Sequence, residues 1–215
     1  MNEKIREIAQ AVEQGKAKLV KELVPQAIEE GLSAQEILNE GLLPGMNVIG
    51  DKFSRNEVFV PEVLVSARAM NKGIELIKPL LTEEGQQPIG KACIGTVEGD
   101  LHDIGKNIVK LMLESRNIEV IDLGADVPSD KFVETVQSEG CQIVALSALL
   151  TTTMGVMGDV IKALTDAGLR DKVTVMIGGA PVNEAFKVQV GADIYTGNAA
   201  DAAAAAEEVL RKANA

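Results

Sequence analysis

The first 80 residues carry apolar side chains at helical spacing, without strand-like alternation. Positions three and four apart within residues 5–28 predict two helices. Gly31 fits the end of the second helix, and the capping-box sequence Ser33–Glu36 predicts the start of a third. Pro61 suits the first turn of a fourth helix. Four helices with short connections predict a small bundle.

The pattern changes after a polar stretch that contains Gly85, Pro88 and Gly90. Short apolar, β-branched runs then alternate with segments of helical period, which predicts a parallel sheet covered on both faces. The predicted fold class is α/β: a four-helix bundle over residues 1–82, a linker over 83–90, and a flavodoxin-like or Rossmann-like five-stranded parallel-sheet domain over 91–215. The predicted strands are Lys91–Val97, Ile118–Leu123, Gln142–Leu149, Lys172–Ile177 and Asp193–Thr196, with helices starting near Ile104, Ser129, Thr152, Val182 and Ala199.

Composition narrows the possible partners and the compartment. The formal net charge is -11, which argues against nucleic acid or an anionic membrane as a partner, because both are recognised by Lys and Arg surfaces. The apolar runs are shorter than the roughly 18 to 20 residues that span a bilayer. The charged start of the chain lacks the apolar segment of a signal peptide. We therefore expect a cytoplasmic protein.

The two cysteines and the single histidine limit the metal chemistry. Cys93 and Cys141 each lie in an apolar run, so we expect buried, reduced thiols. There is no Cys-x-x-Cys pair and only one histidine, His102, which argues against a zinc site built from protein ligands alone. A metal at His102 would need a macrocyclic cofactor to supply most of its coordination.

Three predicted strands end in residues with candidate chemistry. The first strand is followed by Asp100 and His102, the third ends near Ser147, and the fourth near Gly178 and Gly179. Parallel strands place their ligands at the carboxyl ends. A metal-ligating imidazole normally has its second N–H held by a carboxylate. We expect Asp100 to hold His102 and the Ser147 hydroxyl to hold Asp100, while Gly178 and Gly179 leave room for a ligand.

Other assignments of these residues fit less well. The loop after the first strand has no G-x-G-x-x-G fingerprint for a nicotinamide cofactor, and the chain has no P-loop. A hydrolase triad of Ser147, His102 and Asp100 would lack the Gly-x-Ser-x-Gly elbow. Taken singly, an Asp-x-His pair is usually a surface hydrogen bond. The three sites together on one predicted sheet edge favour a binding site.

The motifs Asp100-x-His102-x-x-Gly105, Ser147-x-Leu149 and Gly178-Gly179 resemble the signature of cobalamin-binding domains. Methionine synthase, corrinoid methyltransferase proteins and several mutases share that signature. The resemblance implies a base-off/His-on corrinoid, with His102 as the lower axial ligand of cobalt and the nucleotide tail in a slot in this domain. The implied cofactor-binding residues are Gly99, Asp100, His102, Asp103, Ile104, Gly105, Ser147, Leu149, Thr151, Gly178 and Gly179, with Asp100 and Ser147 tuning the ligand.

The N-terminal half carries a second resemblance. Gly45–Phe53, Val58–Glu62 and Ser66–Met70 resemble the helical cap of methionine synthase and of small corrinoid carrier proteins. The resemblance implies that Phe53 and Val60 cover the upper face of the corrin. Val60 departs from the leucine usual in methionine synthase, so it would cover less area.

This resemblance implies a role in one-carbon metabolism, as in the corrinoid subunits of methanol, methylamine and O-demethylase methyltransferase systems of anaerobes. Such a protein accepts a methyl group on cobalt from a one-carbon donor through a partner methyltransferase. It then presents the group, as methylcobalamin, to a second methyltransferase with a thiol or tetrahydrofolate acceptor. It is not catalytic alone, and a reductive activase is a further partner that the resemblance allows. The cap must then move aside, and residues 83–90 suit that motion.

Three other functions stay open at this point. An adenosylcobalamin mutase small subunit usually lacks a four-helix cap, so residues 1–82 argue against it. A cobalamin light sensor or regulator carries a DNA-binding domain and needs room for adenosyl where Phe53 would lie. A storage module would bind cobalamin without methyl transfer. Methylation of the reduced, loaded protein by a methyltransferase separates the carrier from a storage module, and a radical reaction with an isolated partner would favour the mutase.

Overall fold

The computed structural model describes residues 2–83 and 87–213. They form two compact units, divided between Gln87 and Pro88. The first unit is helical, as the apolar periodicity predicts. Its elements are α1 (Glu3–Glu13), α2 (Ala17–Glu29), α3 (Ala34–Glu36), a π-helical segment (Ile37–Leu42), α4 (Leu43–Ser54) and α5 (Val60–Glu83).

The third predicted helix is the continuous run of α3, the π-helical segment and α4. It begins at the predicted capping box: the Glu36 amide donates to Ser33 Oγ, and the Ser33 amide donates to Glu36 Oε2. Its glycines allow close packing, because a Cβ at Gly45 would lie 2.5 Å from the Ala9 carbonyl oxygen. The four-helix expectation for this region is confirmed.

Helix α5 ends inside the segment that was predicted to be the linker. The helix continues through Glu83, the first residue of the predicted segment 83–90. Residues 84–86 of that segment lie outside the described residues. Ile89 and Gly90 already bond to the second unit, through Ile89 N–Asn117 O and Glu119 N–Gly90 O.

The second unit is a five-stranded parallel sheet in the order β2-β1-β3-β4-β5, the flavodoxin-like order. Helices separate successive strands, and apolar side chains of both form the core. The elements are β1 (Lys91–Val97), α6 (Ile104–Glu114), β2 (Glu119–Val127), α7 (Ser129–Glu139), β3 (Ile143–Ser147), α8 (Gly155–Asp166), a 3-10 turn (Arg170–Lys172), β4 (Thr174–Gly178), α9 (Glu184–Val190), β5 (Ile194–Tyr195) and α10 (Ala199–Ala213).

Several predicted boundaries were wrong. The second strand continues to Val127, because bulges allow it to keep pairing with β1 beyond Gly124. In the sequence, a glycine at this position suggests a turn. The third ends at Ser147 instead of Leu149, and α8 begins at Gly155 instead of Thr152. Between β3 and α8 the chain turns back and forms hydrogen bonds with the loop after β1. The first strand has its predicted bounds, Lys91–Val97. The fourth begins two residues later and ends one residue later than predicted, the fifth is one residue shorter at each end, and α9 begins at Glu184 instead of Val182.

Candidate functional site

The sheet places the carboxyl ends of β1, β3 and β4, where the predicted site residues lie, next to one another. The strand order reverses at β1 and β3, the position where open α/β sheets bind ligands beyond their carboxyl ends. By register, Thr96 pairs with Ser147, and Ser147 pairs with Gly178. The loops that follow these residues therefore emerge side by side.

The loop after β1 holds His102 by its backbone and by its ring. Thr96 Oγ1 donates to the His102 carbonyl oxygen at 2.9 Å. The His102 amide lies 3.0 Å from Asp100 Oδ1, and ring atom Nδ1 lies 2.7 Å from the same oxygen. The His102 side chain is 51% exposed, and Nε2 has no hydrogen-bond partner within the described residues. One ring nitrogen is thus fixed while the other is open to a ligand.

Asp100 is fully buried, and every interaction of its carboxylate is with a donor. Oδ2 accepts from the amides of Leu149 at 2.7 Å and Leu150 at 3.1 Å, and from the Thr153 hydroxyl at 2.9 Å. Burial by itself raises the pKa of Asp100, but these bonds and those from His102 outweigh it and hold that pKa well below its usual range. Asp100 therefore stays ionised beside the imidazole at neutral pH.

The hydroxyl on Asp100 is not the one we predicted. Ser147 makes no hydrogen bond to Asp100 in the described part of the chain, and Thr153 takes that place. Ser147 is the last residue of β3 and pairs with Thr96 in the sheet. The turn between β3 and α8 instead brings the Thr153 hydroxyl to the Asp100 carboxylate. The only sequence signal for this contact is a threonine in the turn that leads into the helix.

The glycines serve two different purposes. A Cβ at Gly105 or Gly178 would meet no atom within 4 Å, so both leave open space as expected. Gly179 differs: it has φ +133, and a Cβ there would lie 1.8 Å from the Ala148 carbonyl oxygen. Its lack of a side chain serves the close packing of two strand ends, and this corrects the expectation that it makes room for a ligand. Gly99, at φ +83, turns the chain into the His102 loop.

Exposed apolar side chains occur in the loop that carries His102 and in the turn that bonds to Asp100. Leu101 is 75% exposed and Ile104 is 72% exposed, and Leu149 and Leu150 are also exposed. Large apolar side chains are seldom left uncovered together unless they bind something. The remaining predicted residues flank this patch: Thr151 is exposed in the turn after β3, and Asp103 accepts from the Asn107 side-chain amide in the first turn of α6.

The donor set fits a flat, metal-containing macrocycle. The described residues contain no group of three or more His, Cys, Asp or Glu that could hold a metal ion by themselves. One free imidazole nitrogen, an exposed apolar surface and open space at Gly105 and Gly178 are what a ligand that brings its own metal coordination requires. Cys93 and Cys141 are buried and free, as expected, and contribute no ligand.

Phe53 and Val60 lie in the first unit, whereas all other predicted site residues lie in the second. Phe53 is the second-last residue of α4 and Val60 the first of α5, so the two flank one short connection. Both are half-buried. Phe59 lies between them in sequence and is 67% exposed, and it was not among the predicted residues.

Across the described residues, no helix is long and apolar enough to cross a membrane.

Comparisons with known proteins show which family the chain resembles. Two family models, both described as B12 binding domain, match residues 90–207 and 4–78. The chain is 44% identical over 209 residues to dimethylamine corrinoid protein 1 of Methanosarcina acetivorans, covering 97% of this chain and 98% of the relative. It is 43% identical over 194 residues to the trimethylamine corrinoid protein of Methanosarcina barkeri, covering 89% of each. Among solved structures, it matches the methanol:cobalamin methyltransferase complex of Methanosarcina barkeri with a TM-score of 0.88 and 34% identity, over 98% of this chain and 80% of that chain.

Proposed function

Since the chain belongs to the B12-binding corrinoid proteins, we propose that it carries a methyl group between two methyltransferases on a corrinoid bound base-off/His-on. The observation that carries this proposal is the state of His102. Its Nδ1 is tied to a buried, ionised carboxylate, and its Nε2 is free at an exposed apolar surface. His102 would be the lower axial ligand of cobalt. The corrinoid, when bound, supplies a cobalt centre that accepts and releases the methyl group.

The residues around His102 control its proton. Asp100 keeps a proton on Nδ1, so the lone pair of Nε2 is available to the metal. The ionised Asp100 would also stabilise a positive charge on the ring. The Thr153 hydroxyl and the Leu149 and Leu150 amides hold Asp100 in place. These residues would therefore keep the His102 ring oriented with Nε2 towards the metal.

The rest of the predicted site would hold the cofactor's tail and upper face. The slot for the nucleotide tail would run beside Gly105, Ser147, Leu149, Thr151 and the Gly178–Gly179 pair, where Gly178 leaves open space. Phe53 and Val60 of the helical unit would cover the upper face. We propose residues 1–82 as this cap and 91–215 as the domain that binds the cofactor.

For the donor we favour a methylamine. The relatives that match at 43–44% identity over most of their length are named for dimethylamine and trimethylamine, whereas the methanol complex matches at 34%. A donor-side methyltransferase would load the protein, and an acceptor-side enzyme with a thiol or tetrahydrofolate substrate would unload it. A reductive activase completes the proposed set of partners. The free, buried thiols suit a reducing compartment such as the cytoplasm.

A methyl-transfer assay tests this function against a mutase, sensor or storage role. The protein is loaded with cobalamin, reduced, and mixed with dimethylamine and a dimethylamine-specific methyltransferase. We expect the absorption spectrum to change to that of the methylated cofactor, at least tenfold faster than with methanol and a methanol-specific methyltransferase. Binding of cobalamin without methylation by either enzyme would contradict the carrier role and favour storage.

A further inference from the structure

The end of β2 departs from regular pairing beside the His102 loop. Ile94 pairs with Asp122, Gly95 with Gly124, and Val97 with Val127. Strand β2 therefore contains one extra residue between the first two pairs and another between the last two. Such bulges commonly occur next to functional sites, where they redirect the backbone. We call residues 122–127 the β2 bulge.

Asp126 in the β2 bulge grips the loop immediately before His102. Its amide donates to the Asp100 carbonyl oxygen at 3.0 Å, and its Oδ1 accepts from the Gly99 amide at 2.7 Å. Asp126 adopts φ 55, a left-handed conformation that few residues other than glycine, asparagine and aspartate tolerate. The bulge and the unusual backbone conformation together allow these two bonds.

One of these bonds is made with Asp100, whose side chain orients the imidazole, and the other with Gly99, the residue before it. Asp100 holds His102 Nδ1 through a 2.7 Å contact, and a shift of about 1 Å in the loop would weaken that contact severely. Thr96 fixes the loop at the His102 carbonyl oxygen, and Asp126 fixes it at Gly99 and Asp100. We propose that Asp126 is a positioning residue that sets the orientation and tautomer of the His102 ring. Its effect on cobalt ligation rests on the proposed function, whereas its effect on the free ring does not.

Three substitutions separate the side-chain acceptor from the backbone conformation. Asp126→Asn keeps an acceptor oxygen and tolerates the left-handed conformation. Asp126→Gly keeps the conformation but loses the acceptor. Asp126→Ala loses the acceptor and adds backbone strain. Asn117, at φ 58 elsewhere in the same unit, provides a matched control, because Asn117→Ala adds similar strain away from the His102 loop.

His102 is the single histidine of the chain, so one pair of ¹⁵N imidazole resonances reports on it without assignment. In the cofactor-free protein we expect the Nδ1-protonated tautomer in the wild type, Asp126→Asn and Asn117→Ala. We expect the population of the Nε2-protonated tautomer to rise roughly threefold to tenfold in Asp126→Gly and Asp126→Ala, which corresponds to the typical net strength of one hydrogen bond. In the cobalamin-loaded protein, the ratio of histidine-ligated to unligated cobalt should fall by a similar factor.

A wild-type tautomer in Asp126→Gly would overturn the proposal. So would an equal change in Asn117→Ala, because the effect would then follow general destabilisation. If the wild-type protein loaded with cobalamin shows no ligation of cobalt by histidine, the proposed function fails. The tautomer measurement on the cofactor-free protein still decides the role of Asp126.

Discussion

Asp100 and its donors are the residues that orient the exposed His102 ring. Its carboxylate accepts from the His102 ring and backbone, two further amides and one hydroxyl, all while fully buried. The Asp100–His102 pair could be predicted from sequence, because two residues two positions apart meet across a turn. The Thr153 contact could not, since it depends on how the chain turns back after β3.

The correction from Ser147 to Thr153 gives a prediction at this scale. Thr153→Val removes the hydroxyl from a buried carboxylate and should lower the free energy of unfolding by about 1–3 kcal/mol. It should also reduce the Nδ1-protonated population of His102. Ser147→Ala should change neither quantity in the cofactor-free protein. Chemical denaturation and imidazole NMR measure the two effects, with Thr153→Ser as the variant expected to behave like wild type. A larger effect from Ser147→Ala would restore the original assignment.

At the scale of elements, β2 lies on the side of β1 opposite β3, and a buried ion pair joins β2 to α6. Lys106 of α6 is 2% exposed, and its ammonium lies 2.5 Å from Asp122 Oδ1 in the β2 bulge. The Gly124 amide donates to the same oxygen at 3.0 Å. Sequence periodicity could predict that these elements exist. It could not predict the bulge, because Gly124 reads as a turn residue and pairing with β1 overrides that tendency.

Removal of the buried Lys106 ammonium tests how much this ion pair contributes to stability. Lys106→Met leaves Asp122 without its nearest partner and should cost on the order of 1–3 kcal/mol of stability. Lys110→Met is the matched control, because Lys110 contacts the other Asp122 oxygen at 3.3 Å from a more exposed position and should cost less than about 1 kcal/mol. Urea unfolding of the two variants measures the difference. Equal losses would mean that burial of Lys106 adds nothing to the ion pair.

The whole molecule follows its hydrophobic pattern closely. Helical period over the first 80 residues and strand–helix alternation afterwards predicted a helical unit and a parallel sheet, and both are present. The carboxyl ends of β1, β3 and β4 meet as expected, because neighbouring parallel strands must end at one edge. Gly179 shows the limit of such reasoning: spacing located it, but only the fold shows that it packs against Ala148.

The identity of the lower axial ligand of cobalt tests the central claim most directly. The cobalamin-loaded protein is reduced to paramagnetic divalent cobalt, with histidine either unlabelled or ¹⁵N-labelled, and its electron paramagnetic resonance spectrum is recorded. Because His102 is the single histidine, we predict that labelling converts the axial nitrogen splitting from three lines to two, and that His102→Ala abolishes the effect. A three-line splitting that persists in the labelled protein would identify the cofactor's own base as the ligand and contradict the account.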